Sequence, residues 1–222
     1  MFRSWCASKL SPLVLATVVL ACSPAPGNAP PAEAAGNPSA SEQPPGELVF
    51  RSTVEKLFNH RNSLAEGKER EDVVEVTLPG RLFAPPIPLP DVTRDAVDRT
   101  TLEGALASDV AAFRADDAEW ILENFAPSDQ QKIAQQLERE DLRARNKAAL
   151  DHIHSMEIWG MATYGEYGLV MYRYDGDSTR GLVPTFTKVG NEWKRTNVLS
   201  ADEVFDVVLS AFRSGGEVIE SE

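Results

Sequence analysis

Cysteine is almost missing from this chain: of 222 residues, only Cys6 and Cys22 carry a thiol, and both lie near the start. Beyond them disulfides, CxxC redox chemistry, cysteine-ligated metals and cysteine nucleophiles are excluded together. Histidine is nearly as sparse, with three residues, His60, His152 and His154. On a strand, His152 and His154 would share one side at a spacing that chelates a divalent ion. His60 is remote in sequence and no third ligand assembles, so neither a metal nor a cofactor is expected. A Gly-rich phosphate loop, a serine nucleophile elbow and an HExxH pair are all absent. Positive charge is short as well. The formal net charge of −12 repels phosphate backbones and anionic headgroups, which excludes nucleic acid as a partner. The apolar run at 13–21 falls well below the roughly 20 residues that span a bilayer.

Arg3 and Lys9 precede that run, the arrangement of a secretory leader. It closes on Val19-Leu20-Ala21-Cys22, which resembles the lipobox of bacterial lipoproteins. The resemblance implies that residues 1–21 are removed, that Cys22 is lipidated, and that the lipid holds the protein in the cell envelope. Ser23 in place of Asp after the cysteine implies the outer membrane, facing the periplasm or the cell surface. Residues 22–46 are rich in Pro, Ala, Gly and Ser without apolar periodicity, and cannot bury enough surface to offset their ordering entropy. They read as a tether that holds the folded part on the order of 25 to 30 Å from its anchor.

From residue 47 onward there is enough chain for one core. Phe50, Val54, Leu57, Phe58 and Leu64 recur at helical spacing, which predicts a helix over 47–65. A short strand is predicted at 73–78. The proline-rich stretch 79–90 reads as an extended strap packed by its apolar side chains, because its prolines lack the N–H a central strand needs. Together these make an N-terminal section, 47–98. Thr100 with Glu103, and Asp116 with Glu119, form capping-box patterns that split 100–125 into a longer and a shorter helix. A further helix starts at Ser128 and breaks near Glu140, where its apolar face changes phase. Strands are predicted at 152–164, 167–174, 181–189 and 192–198. Asp175-Gly176 and Gly190-Asn191 turn them into an antiparallel meander. Ser200 with Glu203 caps a last amphipathic helix, and 215–222 reads as a flexible tail. The pattern is α+β, with the main domain at 99–214.

Within that domain, the segment DVAAFRADDAEWILENFAP, Asp109 to Pro127, resembles the first-helix signature of the nuclear transport factor 2-like superfamily, and Tyr167–Tyr174 and Phe186–Asn197 resemble its later strands. The resemblance covers about 100–197. It implies helices wrapped over a curved antiparallel sheet, a cone-shaped cavity, and a homodimer through the open sheet face. In the ketosteroid isomerase-like members the first helix carries a Tyr that donates to an oxyanion. Counted back from Asp117, this chain has Asp109 at that place, and a carboxylate donates only when protonated.

Asp109 shares the helical stripe of Leu102, Leu106 and Phe113, which puts a carboxyl among apolar side chains. Two readings stay open. It is a structural acid paired with an Arg or Tyr from the sheet, or it is an acid or base facing a pocket with a raised pKa. Trp120, Trp159, Tyr172 and Trp193 are the matching candidates for lining such a pocket, or for core. The reading that follows is a non-catalytic envelope lipoprotein that binds a small apolar ligand or another envelope protein. The alternative is an isomerase or cyclase using the cone with Asp109.

Because no other segment supplies an anchor, Cys22→Ser is expected to abolish lipidation and release the protein from the membrane fraction. Metabolic labelling with a fatty-acid analogue reads this directly, and equal labelling of wild type and variant would end the lipoprotein reading.

Overall fold

The computed structural model describes residues 46–175 and 181–221. The leader, Cys22, the tether up to residue 45 and the Gly176 half of one turn lie outside them. In chain order the elements are β1 (Gly46–Thr53), β2 (Val73–Pro88), α1 (Leu102–Ala115), α2 (Ala118–Asn124), α3 (Pro127–Leu137), α4 (Glu140–Asp151), β3 (Met156–Tyr164), β4 (Tyr167–Tyr174), β5 (Gly181–Leu182), β6 (Thr185–Val189), β7 (Glu192–Thr196), α5 (Glu203–Arg213) and β8 (Glu217–Ser221). The strands form one open antiparallel sheet in the order β7-β6-β4-β3-β2-β1-β8, with β5 paired to β4. The fold is α+β.

Strand β4 shows why helices are needed on both faces. Five consecutive residues, Gly168 to Tyr172, are buried, so each face of the sheet must be covered where β4 lies. On one face Val170 and Tyr172 pack with Leu106 and Val110 of α1, Ile158 and Phe186. On the other, Leu169 and Met171 pack with Leu48, Phe50 and Leu78 against Val208 and Phe212 of α5. Helix α1 contacts β4 and β7, whereas α5 lies mainly on β1, β2 and β5. The two covers are therefore offset toward opposite ends of the sheet.

Three sequence expectations are corrected. The helix expected over 47–65 is strand β1 followed by 3-10 turns at Val54–Lys56 and Ser63–Ala65. The inward residues are Leu48, Phe50 and Ser52, a period of two that the polar Ser52 conceals. The strap at 79–90 is largely the second half of β2: Pro79 and Gly80 still pair with β1, and the rest runs along β3 to Pro88. Its prolines fit because Pro85 and Pro86 fall where the register slips, between the pairs Leu82↔Gly160 and Ile87↔Ile158. Pairing resumes past them, and Leu89 N donates to Met156 O at 2.8 Å. The tail at 215–222 is not loose over its described part. Gly215 turns the chain at φ 73°, and Glu217–Ser221 add a strand to β1.

Helix α5 is tied down by a buried acid. Asp206, 7% exposed, accepts from Phe58 N at 3.0 Å, Asn59 N at 3.2 Å and Asn62 Nδ2 at 3.0 Å. This fixes the loop after β1 over the helix. Removing the carboxylate leaves those donors without their acceptor, so Asp206→Ala is expected to lose about 3 kcal/mol, with the exposed Glu71→Ala as a neutral control. Denaturant unfolding measures both. A loss for Asp206→Ala no larger than the control's would show that this loop does not depend on it.

Candidate functional site: the Asp109 pair and the cleft outside α1

Helix α1 starts at Thr101, whose side chain accepts from Gly104 N, and ends at Asp116 in a left-handed conformation, φ 51°. Asp117 then caps α2 by accepting from Trp120 N at 3.0 Å. This geometry sets the register of α1. Leu106 and Asp109 point at the sheet, 1% and 2% exposed, as the stripe predicted.

What Asp109 meets there is the guanidinium of Arg195 from β7, in a short charge-assisted hydrogen bond through Oδ2. Oδ1 of the same carboxyl has no hydrogen-bond partner. Burial pushes the Asp109 carboxyl above its ordinary range, and the charge and hydrogen bond of Arg195 pull it back. For Arg195 burial works against the cation, but Asp109 and Tyr172 outweigh it and hold the guanidinium above its usual value. Burial likewise pushes the Tyr172 phenol well above its ordinary range, with the charges of Arg195 and Asp109 acting in opposite senses. The Arg195 side chain is 26% exposed against 3% for Asp109, so water reaches the cation and not the acid. Its guanidinium also lies over the Phe125 ring.

Beside the pair is a polar cluster that periodicity could not reveal. Ser108, fully buried, donates to Asn124 Oδ1 at 2.7 Å and accepts from Trp120 Nε1 at 3.0 Å and Arg99 Nε at 3.2 Å. Ser108 passes in sequence as one more small residue of α1. Its amide, indole and guanidinium partners give it away only after folding.

The candidate pocket aromatics do not converge. Tyr172 is buried and Trp193 partly buried, both on the α1 face of the sheet. Trp159 is on the opposite face, beneath the guanidinium of Arg173 at 4.2 Å. Trp120 is buried between α1 and α2, with its indole N–H on Ser108. The histidines are not on a strand either. His152 Nδ1 lies 2.6 Å from Ala148 O at the end of α4, and His154 precedes β3. Among the described residues no group of three or more His, Cys, Asp or Glu is placed to hold a metal ion.

A cleft of about 680 Å³ lies along the flank of α1, between residues 88–94 and the start of β3. Its floor is Ala107, Val110 and Ala111, with Trp120 at one end, and Leu89 and Val92 contribute to its wall. Arg94 and Arg114 also line it. Arg94 is engaged by Glu123, by Glu119 at 3.2 Å and by Asp117 at 3.4 Å, and Glu123 foremost, with Glu119, holds its guanidinium above the ordinary value against the effect of burial.

No protein-family model matches this chain, and no curated protein shows a significant match to it. Among solved structures, it is similar to the solution structure of a SEC-C motif-containing protein from Rhodopseudomonas palustris. The identity is 17%, with a TM-score of 0.31, over 45% of this chain and 77% of that one. A likeness at that level carries no inference about fold or activity.

The buried pair makes a sharp stability prediction. Asp109→Asn keeps the shape but leaves Arg195 without its counter-charge, and is expected to cost about 3 kcal/mol or more. Asp109→Leu combined with Arg195→Met removes both charges and should recover most of that loss. A single variant within about 1 kcal/mol of wild type in denaturant unfolding would contradict the pairing.

Proposed function

We propose that this chain is a lipid-anchored cell-envelope protein whose folded part follows the nuclear transport factor 2-like plan and serves as a non-catalytic binding module. The envelope address rests on Leu20-Ala21-Cys22 and the short leader before it. The plan is supported by the resemblance over about 100–197 and by helix α1 lying across an antiparallel sheet.

The observation that carries the binding reading is the state of Asp109. It is 2% exposed, ion-paired to Arg195, and surrounded by a layer in which Leu106, Ile158, Val170 and Phe186 are packed side chain to side chain. An acid or base for an isomerase needs a substrate within hydrogen-bond reach and a second convergent polar group. The cleft that does offer space runs along the flank of α1 and does not include Asp109.

A direct test uses a β,γ-unsaturated ketone and follows the absorbance of the conjugated product. Wild type is expected to give no rate above buffer. A measurable rate in wild type that disappears in the Asp109→Leu/Arg195→Met double variant would replace the binding module with the isomerase alternative.

A further inference from the structure

Within the binding-module reading, we propose that the outer edge of β8 is a docking site for an extended, basic segment of a partner protein, which joins the sheet as a further strand.

The sheet has two edges, and only one of them is closed. On β7, Trp193 N donates to Arg99 O and Arg195 O accepts from Ala126 N, both at 2.8 Å. Strand β8 pairs with β1 in unbroken register, from Arg51↔Glu217 to Glu47↔Ser221. Among the described residues no strand pairs with its other side, where the backbone groups that alternate away from β1 point to water. Val218 is half-buried and the other residues of β8 are exposed, so little lies across the strand. Proline, lysine and a bulge, three devices that blunt an edge, are all missing from it. Its protection is negative charge.

That charge selects the occupant. The pairing of Val49 with Ile219 and of Arg51 with Glu217 puts Glu217, Ile219 and Ser221 on one face, and Val218 and Glu220 on the face that carries α5. An acid therefore stands on each face, with Ile219, 40% exposed, between them. Two cations lie near. Arg51 is 4.0 Å from Glu217 but is engaged by Glu75 at 2.5 Å, and Lys56 Nζ donates to Gly215 O at 2.8 Å. Glu47 and Glu220 have no ion pair among the described residues. A second copy of β8 would bring the same acids alongside, and like charges on neighbouring strands repel. A strand with cations opposite Glu217 and Glu220 and an apolar residue opposite Ile219 matches all three positions. Backbone hydrogen bonds then supply the affinity, and the acids choose the partner.

The blocked peptide TKVTK, antiparallel to β8, sets lysine opposite Glu217 and Glu220 and valine opposite Ile219, and TEVTE is its acidic counterpart. Both are titrated by NMR into the chain from residue 22 onward carrying Cys22→Ser, following amide shifts and hydrogen exchange at residues 217–221. TKVTK is expected to shift β8, to slow exchange at alternate amides there, and to bind ~10-fold more tightly than TEVTE at low salt. A fully N-methylated TKVTK has no backbone donors and is expected to lose ~10-fold or more. Glu217→Gln combined with Glu220→Gln, both at solvent-facing side chains, is expected to bring TKVTK and TEVTE within about three-fold of each other. No shift at β8, equal binding of the two peptides to wild type, or undiminished binding of the N-methylated copy would overturn the assignment. So would slowed exchange at β8 that grows with protein concentration without peptide, which would make a second copy the occupant. Each of these leaves the binding module standing with a different partner, whereas ketone turnover that depends on Asp109 overturns the module itself.

Discussion

A carboxylate withdrawn from water must find a cation or several donors, and Asp109 meets that demand with Arg195 across the gap between α1 and β7. The consequence reaches beyond the pair. Arg195 stands on the sheet's edge strand, and its backbone O accepts from Ala126 N at 2.8 Å, just after α2. Two residues earlier, Trp193 N donates to Arg99 O at 2.8 Å, just before α1. One strand therefore receives α1 through a side chain and the segments flanking α1 and α2 through its backbone. The same contacts occupy hydrogen-bonding groups on the outer edge of β7, which blunts it against pairing with another chain. Any sequence change that moved Asp109 out of register would release the helices and expose that edge together.

The sheet's two covers explain where space for a ligand remains. Helix α5 and the α1 layer fill opposite faces at opposite ends, and Asp109 sits within the packed α1 layer. The cleft arises where β2 has run past the end of its pairing with β1, at Gly80, and remains paired to β3 through Pro88. After Leu89 the chain leaves the sheet and passes alongside α1. Proline makes this possible twice over: it sets the register slip that lets β2 continue, and it keeps residues 88–90 extended.

Legibility from sequence followed how local each signal was. Strand β4 was predicted over its observed range, since its apolar run is bounded by Gly165 and by the Asp175 turn. Asp109 was placed inward correctly, because a 14-residue helix samples its stripe several times. The caps were displaced by one or two residues. Thr101, Asp117 and Asp202 cap α1, α2 and α5, where the box patterns pointed to Thr100, Asp116 and Ser200. Adjacent candidates compete, and the tertiary structure chooses: Asp116 ends α1 and grips Arg143, leaving the cap of α2 to Asp117. The misses share another cause. Strands β1 and β8 and the second half of β2 are strands only because a distant partner pairs with them, and the five residues of β8 hold no periodicity strong enough to declare it.

The buried acids show how one composition supports three different solutions. Asp206 is met by backbone and amide N–H groups of the loop after β1, and no cation is involved in that contact. Asp129, at the start of α3, accepts from Thr196 Oγ1 at 2.8 Å and from Asn197 N at 3.3 Å, joining that helix to the end of β7. Donors that surround a carboxylate stabilise its charge without neutralising it, so these two acids stay compatible with a strongly acidic chain. Asp109 is the exception, with a full counter-charge on one oxygen and nothing on the other. An acid satisfied by several N–H groups only holds a loop in place. An acid with one committed oxygen and one bare one leaves hydrogen bonding incomplete inside a packed layer, and the pairing with Arg195 is what keeps it closed.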